Sequence, residues 1–194
     1  MAYNILVTGG RGYIGSALCY CLRQAPYIGK IVVYDIIDGN DICDVPNLVK
    51  HIFDNNIGVI IHLAAISDVA SCTNNPKLAI QTNAIGTKCV LDAMTITGCQ
   101  NIIYASTSSV YGNNRELPYF ETHSLKPQSC YGYSKLLGEH CIFNHYNVNL
   151  HSGSYYIFRM FNVVGTIGVN AIDNSANPGY DRLFATLQQG KLTI

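Results

Sequence analysis

A glycine triplet set between a short β-rich run and a helical pattern constrains this chain more than any other feature. Tyr3–Thr8 is strand-like and ends in glycines. Gly9, Gly12 and Gly15 follow with G-x-x-G-x-x-G spacing, and Tyr13–Gln24 then places Ile14, Leu18 and Leu22 on one helical face. Glycines allow a tight turn and let backbone N–H groups approach a pyrophosphate, while the helix N-terminus adds a favourable partial charge. Asp35 lies twenty positions beyond Gly15, in a second strand-like run, Lys30–Ile36. A carboxylate there accepts both ribose hydroxyls of an adenosine and repels a 2′-phosphate, so the pattern predicts NAD over NADP.

The rest of the chain repeats the same alternation. Asn47–Asp54 reads as a helix and Gly58–Ala65 as a continuous apolar strand. Pro76–Thr97 reads as one long helix with Gly98 as its stop, and Asn101–Ser106 as another buried strand. Loop composition over Gly112–Ser129 leads to a helix at Tyr131–Tyr146 and a strand at Tyr155–Asn162. Gly165–Gly179 is again loop-like, and Asp181–Gln189 reads as a short last helix. Strand and helix in turn predict an α/β fold, a doubly wound parallel sheet with helices on both faces.

Chemistry points to two segments. Tyr131 and Lys135 lie four apart, one turn apart on a single helical face. A lysine ammonium beside a phenol favours the phenolate, so the expectation is a Tyr131 pKa lowered from about 10 and a usable general base near neutral pH. The second segment, Ser106–Gly112, follows a buried strand, where ligands of open parallel sheets bind. A hydroxyl there would share the substrate oxygen with Tyr131.

With these segments the sequence resembles the extended short-chain dehydrogenases/reductases of the NAD-dependent sugar epimerase/dehydratase family, nearest to the UDP-hexose 4-epimerase type. The segments that carry the resemblance are Val7–Ser16, Asp41-Ile42, His62–Ala65, Asn83–Thr87, Ser106–Gly112, Pro127–Lys135 with Glu139, and Arg159–Gly165, in the family's order. The resemblance implies a Rossmann-like NAD-binding domain over residues 1–164, with the start of a substrate-binding region over 165–194. Gly9, Gly12, Tyr13, Ile14 and Gly15 would hold the NAD pyrophosphate, and Asp35 the adenosine ribose. Asp41 and Ile42 would border the adenine, and Leu63, Ala64 and Ala65 would line the groove. Tyr131 would be the base, Lys135 would hold the nicotinamide ribose, and Thr107 would fill the catalytic Ser/Thr position. Thr107, Ser108 and Asn162 would meet a nucleotide-sugar. The resemblance also implies a homodimer through helices 76–97 and 131–146.

Departures from the family pattern sharpen the expectation. Ser108 and Ser109 stand where dehydratases carry acidic residues, which favours epimerisation over dehydration. Ser67 stands where several galactose-type epimerases have lysine, and only five residues separate Asp35 from Asp41, so the sheet edge is expected to be trimmed. That short interval resembles nucleotide-sugar 4-keto reductases, the alternative reaction. A cofactor-binding module that needs a missing partner segment is the third reading.

Composition excludes other classes. Twelve basic residues balance twelve acidic ones, leaving no basic excess for nucleic acid. No apolar run is long enough to span a membrane. The eight cysteines form no C-x-x-C pair, the six histidines have no metal-ligand spacing, and no leader-like segment stands at the N-terminus. The expectation is a cytoplasmic protein with reduced thiols, mostly buried as small hydrophobes, and no metal.

Overall fold

A computed structural model of the chain describes residues 3–26, 28–113, 116–148 (backbone only at 148) and 152–163. The expected helix at 181–189 and the loop at 165–179 lie outside the described residues. Five strands form one sheet: β1 (Tyr3–Thr8), β2 (Ile28–Tyr34), β3 (Ile57–His62), β4 (Asn101–Thr107) and β5 (Tyr155–Met160). Their order is β2-β1-β3-β4-β5 and every pairing is parallel, the Rossmann-like arrangement expected. Successive strand residues point to opposite faces. Leu6 and Val7 of β1 are both fully buried, one in each of the two cores. A strand covered on both faces has no polar side to show, which is why its sequence is a plain apolar run.

The two faces are unequally clothed. In one core, α1 (Tyr13–Gln24) packs Leu18, Cys19 and Leu22 on Ile5, Val7 and Ile61. In the other, α2 (Val45–Asp54), α5 (Gly86–Thr97) and α6 (Cys130–Val148) bring Leu48, Ile52, Leu91 and Ile142 against Leu6, Ile60 and Ile102. Two short helices, α3 (Val69–Asn74) and α4 (Pro76–Ile80), precede α5. Most boundaries agree with expectation to within two residues, and α1 agrees at both ends. The strand expected over 58–65 is shorter. The Leu63 N–H still donates to the Thr8 carbonyl (3.1 Å), and the ladder ends where the Ala64 N–H turns instead to the Thr8 hydroxyl (3.3 Å).

The helix expected over 76–97 is interrupted. Gln81–Ile85 forms a π-helical turn between α4 and α5. The expected trimming of the sheet edge is observed. β2 is the edge strand, and the chain beyond it makes only a 3₁₀ turn, Ile36–Asp38, before reaching Asp41. From β2 the chain crosses back over β1 to β3 and then steps outward to β4 and β5. The direction therefore reverses between β1 and β3, and their loops part to open a crevice at the carboxyl ends of the strands.

Candidate active site

At that crevice the glycines divide by role. Gly9 has a positive φ of 69°, and a Cβ there would lie 2.7 Å from the Ala64 nitrogen. A Cβ on Gly15 would lie 2.2 Å from the Gly9 carbonyl oxygen. Both positions exclude any side chain because backbone packs on backbone. Gly12 is different: its only near neighbour would be the Gly9 carbonyl oxygen at 3.3 Å. A side chain at Gly12 would mainly occupy the open side of the turn, the cradle in which a pyrophosphate fits. Gly12 is also the N-cap of α1, with no side-chain cap and no acidic residue in the first turn. Among the described residues no side chain caps this helix N-terminus, which begins with Tyr13 and Ile14. Leu63 and Ala64 pack their backbone against Gly9 on the opposite side of the turn, with Ala65 next in the chain.

Asp35 follows β2 directly and is buried. Its Oδ2 accepts from the Arg11 N–H at 2.9 Å and its Oδ1 from the Ile37 N–H at 3.1 Å. The carboxylate is thereby fixed at the mouth of the glycine turn. Asp41 is exposed, and its Oδ1 accepts from the Cys43 N–H at 2.8 Å. Ile42 is buried in the core, its Cδ1 against Gly86. Its side chain thus supports α5 from below.

β4 and α6 bring the second constellation together. Thr107 ends β4 almost completely buried and accepts the Ser109 N–H through Oγ1 at 3.1 Å, which starts the 3₁₀ turn holding Ser108. Tyr131 stands in the first turn of α6, where Thr107 is the side chain that favours its phenolate. Gly132 lets the helix come this close: a Cβ there would meet the Ser109 carbonyl oxygen at 2.7 Å. Lys135, one turn on, is buried with its Nζ 4.0 Å from the centroid of the Tyr104 ring. Asn162 lies exposed just past β5, and no described contact joins it to this group.

The electrostatics correct one expectation. Burial raises the Tyr131 phenol above its ordinary value, and the Thr107 hydrogen bond opposes that only in part. Burial also lowers Lys135 to about 7, with Glu139 pulling it back up. The lysine does not depress the phenol, because both groups are desolvated and the ammonium rests on the Tyr104 face. Behind Lys135, Glu139 is fully buried. It accepts from Ser106 Oγ at 2.5 Å and from Arg159 Nη2 at 2.9 Å. Arg159 also donates to the Tyr111 hydroxyl at 3.0 Å and the Glu121 carbonyl at 3.1 Å. Burial works to lower the guanidinium pKa, but the bonds to Glu139 and Tyr111 outweigh it and hold it above the usual arginine range.

Several positioning residues stand in segments that carry the resemblance, yet the sequence assigned them no individual role. Gly10 is one, since a Cβ there would press on Val33 at 2.8 Å. Asn83, in the π turn, brackets Ile66: its Oδ1 accepts from Ile66 N–H (2.8 Å), and its Nδ2 donates to the Ile66 carbonyl (3.0 Å) and Ser134 Oγ (2.9 Å). His62 bridges Thr8 (2.6 Å) and Thr87 (3.0 Å) in the core, where burial lowers its pKa to about 3. It is a neutral structural ring, as its scattered spacing suggests. The cysteines are less buried than expected: only Cys19, Cys72 and Cys99 are fully so, and all eight are free. Among the described residues no cluster of three His, Cys, Asp or Glu side chains forms a metal site. No described helix is long and apolar enough to cross a membrane.

A glycine turn at the β1/β3 switch point, with a Tyr–Lys pair beyond β4, defines a class: Rossmann-fold proteins built for dinucleotide chemistry on a hydroxyl or carbonyl. Within that class, residues 5–189 match the NAD dependent epimerase/dehydratase family, and the chain belongs to it. It is 32% identical over 185 residues to UDP-glucose 4-epimerase from Yersinia pestis, covering 83% of this chain and 53% of that one. The structure of UDP-glucose 4-epimerase from Brucella ovis in complex with NAD superposes with a TM-score of 0.78 at 32% identity, covering 86% of this chain and 54% of that one. A dTDP-4-dehydrorhamnose reductase from Bacillus anthracis str. Ames in complex with NADP gives a TM-score of 0.73 at 28% identity, over 88% and 57% of the two chains. The chain spans about half the length of the curated relatives it matches.

Proposed function

We propose that the chain is the cofactor-binding and catalytic portion of a nucleotide-sugar 4-epimerase that works by transient oxidation. The observation that carries this reading is the meeting of Tyr131 and Thr107 at the carboxyl end of β4, with Lys135 one turn behind. NAD fits the residues present: Gly9, Gly12, Tyr13, Ile14 and Gly15 would take its pyrophosphate, and Asp35 its adenosine ribose. Leu63, Ala64, Ala65 and the Asp41-Ile42 pair would border the rest. Bound there, NAD would supply hydride-accepting and hydride-donating chemistry at the sugar carbon, and inversion would require the keto-sugar to turn over in the pocket.

The chain's own residues handle the proton. Thr107 holds the sugar hydroxyl oxygen, and Tyr131 removes its proton as the C–H bond gives up hydride, so the carbon becomes a ketone. Tyr131 returns the proton when the hydride comes back. Lys135, one turn behind Tyr131, would hold the nicotinamide ribose, and its ammonium form would favour the phenolate that Tyr131 needs as a base. Ser108 and Asn162 would contact the nucleotide-sugar. Exposed Leu78, Ile85 and Tyr133 on α4, the π turn and α6 support a homodimer through those helices.

Incubation of the chain with UDP-, GDP- and dTDP-sugars without added reductant, followed by NMR, tests the reaction. Epimer formation is expected, and Tyr131→Phe should abolish it while leaving NAD binding nearly intact. Wild-type turnover by that variant refutes the role of Tyr131. The trimmed edge at β2 and the likeness to the NADP-bound reductase favour a second reading, a 4-keto reductase. That enzyme would oxidise one reduced cofactor per product. A partner-dependent module would show neither reaction alone.

A further inference from the structure

The glycine turn carries one cation, and the structure shows where it goes. Arg11 lies between Gly10 and Gly12, and its backbone N–H holds the Asp35 carboxylate at 2.9 Å. Its side chain turns to Asp38, with Nε donating to Oδ2 at 2.9 Å and Nη2 to Oδ1 at 3.0 Å. This is the two-bond fork by which a guanidinium also grips a phosphate. The fork is built by the 3₁₀ turn that follows Asp35. The Asp35 side chain caps that turn, and the Asp35 carbonyl accepts the N–H groups of Asp38 (3.0 Å) and Asn40 (3.0 Å). One short turn therefore fixes both the ribose-facing carboxylate and the carboxylate that occupies Arg11.

We propose that Asp38 is a cofactor-specificity residue, which selects NAD over NADP by masking Arg11. With the fork occupied, a ribose 2′-phosphate would meet Asp35 and Asp38 and only a neutralised Arg11. With Asp38 uncharged, Arg11 is a cation already tied to the ribose-facing carboxylate through its backbone, and its fork is open for a phosphate. Charge at this rim, rather than pocket shape, sets the choice. The inference rests on the reading of this turn as a dinucleotide site.

Titration of the 194-residue chain with NADH and with NADPH, followed by calorimetry, tests it without requiring turnover. The wild-type chain should bind NADH more tightly than NADPH. Asp38→Asn should improve the NADPH:NADH affinity ratio by about tenfold, and Asp38→Ser should do the same. Adding Arg11→Ala to Asp38→Asn should remove the gain. Circular dichroism confirms folding of each variant, and Asp38 is a partly exposed turn residue whose replacement removes no core contact. An unchanged ratio in both single variants overturns the proposal while NADH binding keeps the dinucleotide reading standing. A gain that survives Arg11→Ala overturns it equally. Failure of the wild-type chain to bind either nucleotide overturns both.

Discussion

Lys135 is a buried lysine whose neighbours decide its charge. Burial brings it to about 7, while the face of Tyr104 and the carboxylate of Glu139 favour its ammonium form. Between about pH 7 and the ordinary lysine value of 10.5, the unfolded chain binds a proton that the folded chain has released. Stability contributed by this group therefore rises with pH across that window. Buried thiols such as Cys99 work the other way above about pH 8.5, since burial raises their pKa and the unfolded thiol ionises first. The difference between wild type and Lys135→Met isolates the lysine. Urea unfolding at pH 7 and pH 9 should show the variant gaining relative to wild type at the lower pH, with the gap narrowing at the higher. A constant gap would mean that Lys135 does not titrate in this range. The four-residue spacing made the Tyr131–Lys135 pair legible. The sign of its electrostatics was not, because spacing says nothing about how deeply two groups are buried or which ring the ammonium meets.

Among the elements, the broken helix from Pro76 to Thr97 is the most informative. A π turn widens the helix by one residue and often marks a functional site. Here it turns Asn83 inward to hold Ile66 after β3 and Ser134 in α6. Ser134 in turn donates to the Tyr131 carbonyl at 2.8 Å, so the turn reaches the catalytic helix through two bonds. Asn83→Ala should leave the part-buried Ile66 N–H without its partner, remove two further bonds and cost about 2 kcal/mol, measurable by thermal unfolding. Turnover should fall further than stability alone accounts for, because Tyr131 loses its support. Helical periodicity predicted the length of this element correctly and missed the interruption. A single inserted residue shifts the apolar stripe too little to show in the pattern, and what rewards it is a contact 51 residues away. α6 is similar. Gly138 sits under the Tyr104 hydroxyl, where a Cβ would lie at 2.2 Å, and that close approach is a property of the packed pair rather than of either segment.

Across the whole molecule, the alternation of strand with helix was open to reading because each strand is a run of apolar residues bounded by turn formers. Unequal clothing of the two faces was not, since it depends on which way each crossover runs. Central β1 and β3 are buried on both sides, whereas β5 exposes Tyr156 and Phe158 on one of its faces. Hydrogen exchange followed by mass spectrometry should find the slowest amides in β1 and β3 and faster ones in β5. Equal protection across the sheet would argue against this distribution of the core. The contact of Gly9 with Ala64 has a consequence for anyone who would borrow this cleft. The two walls belong to different crossovers and touch backbone to backbone, so the first β-α-β unit transplanted into another scaffold would arrive with a single wall. Leu63–Ala65 must travel with it, which makes the first 65 residues the smallest portable form of the groove.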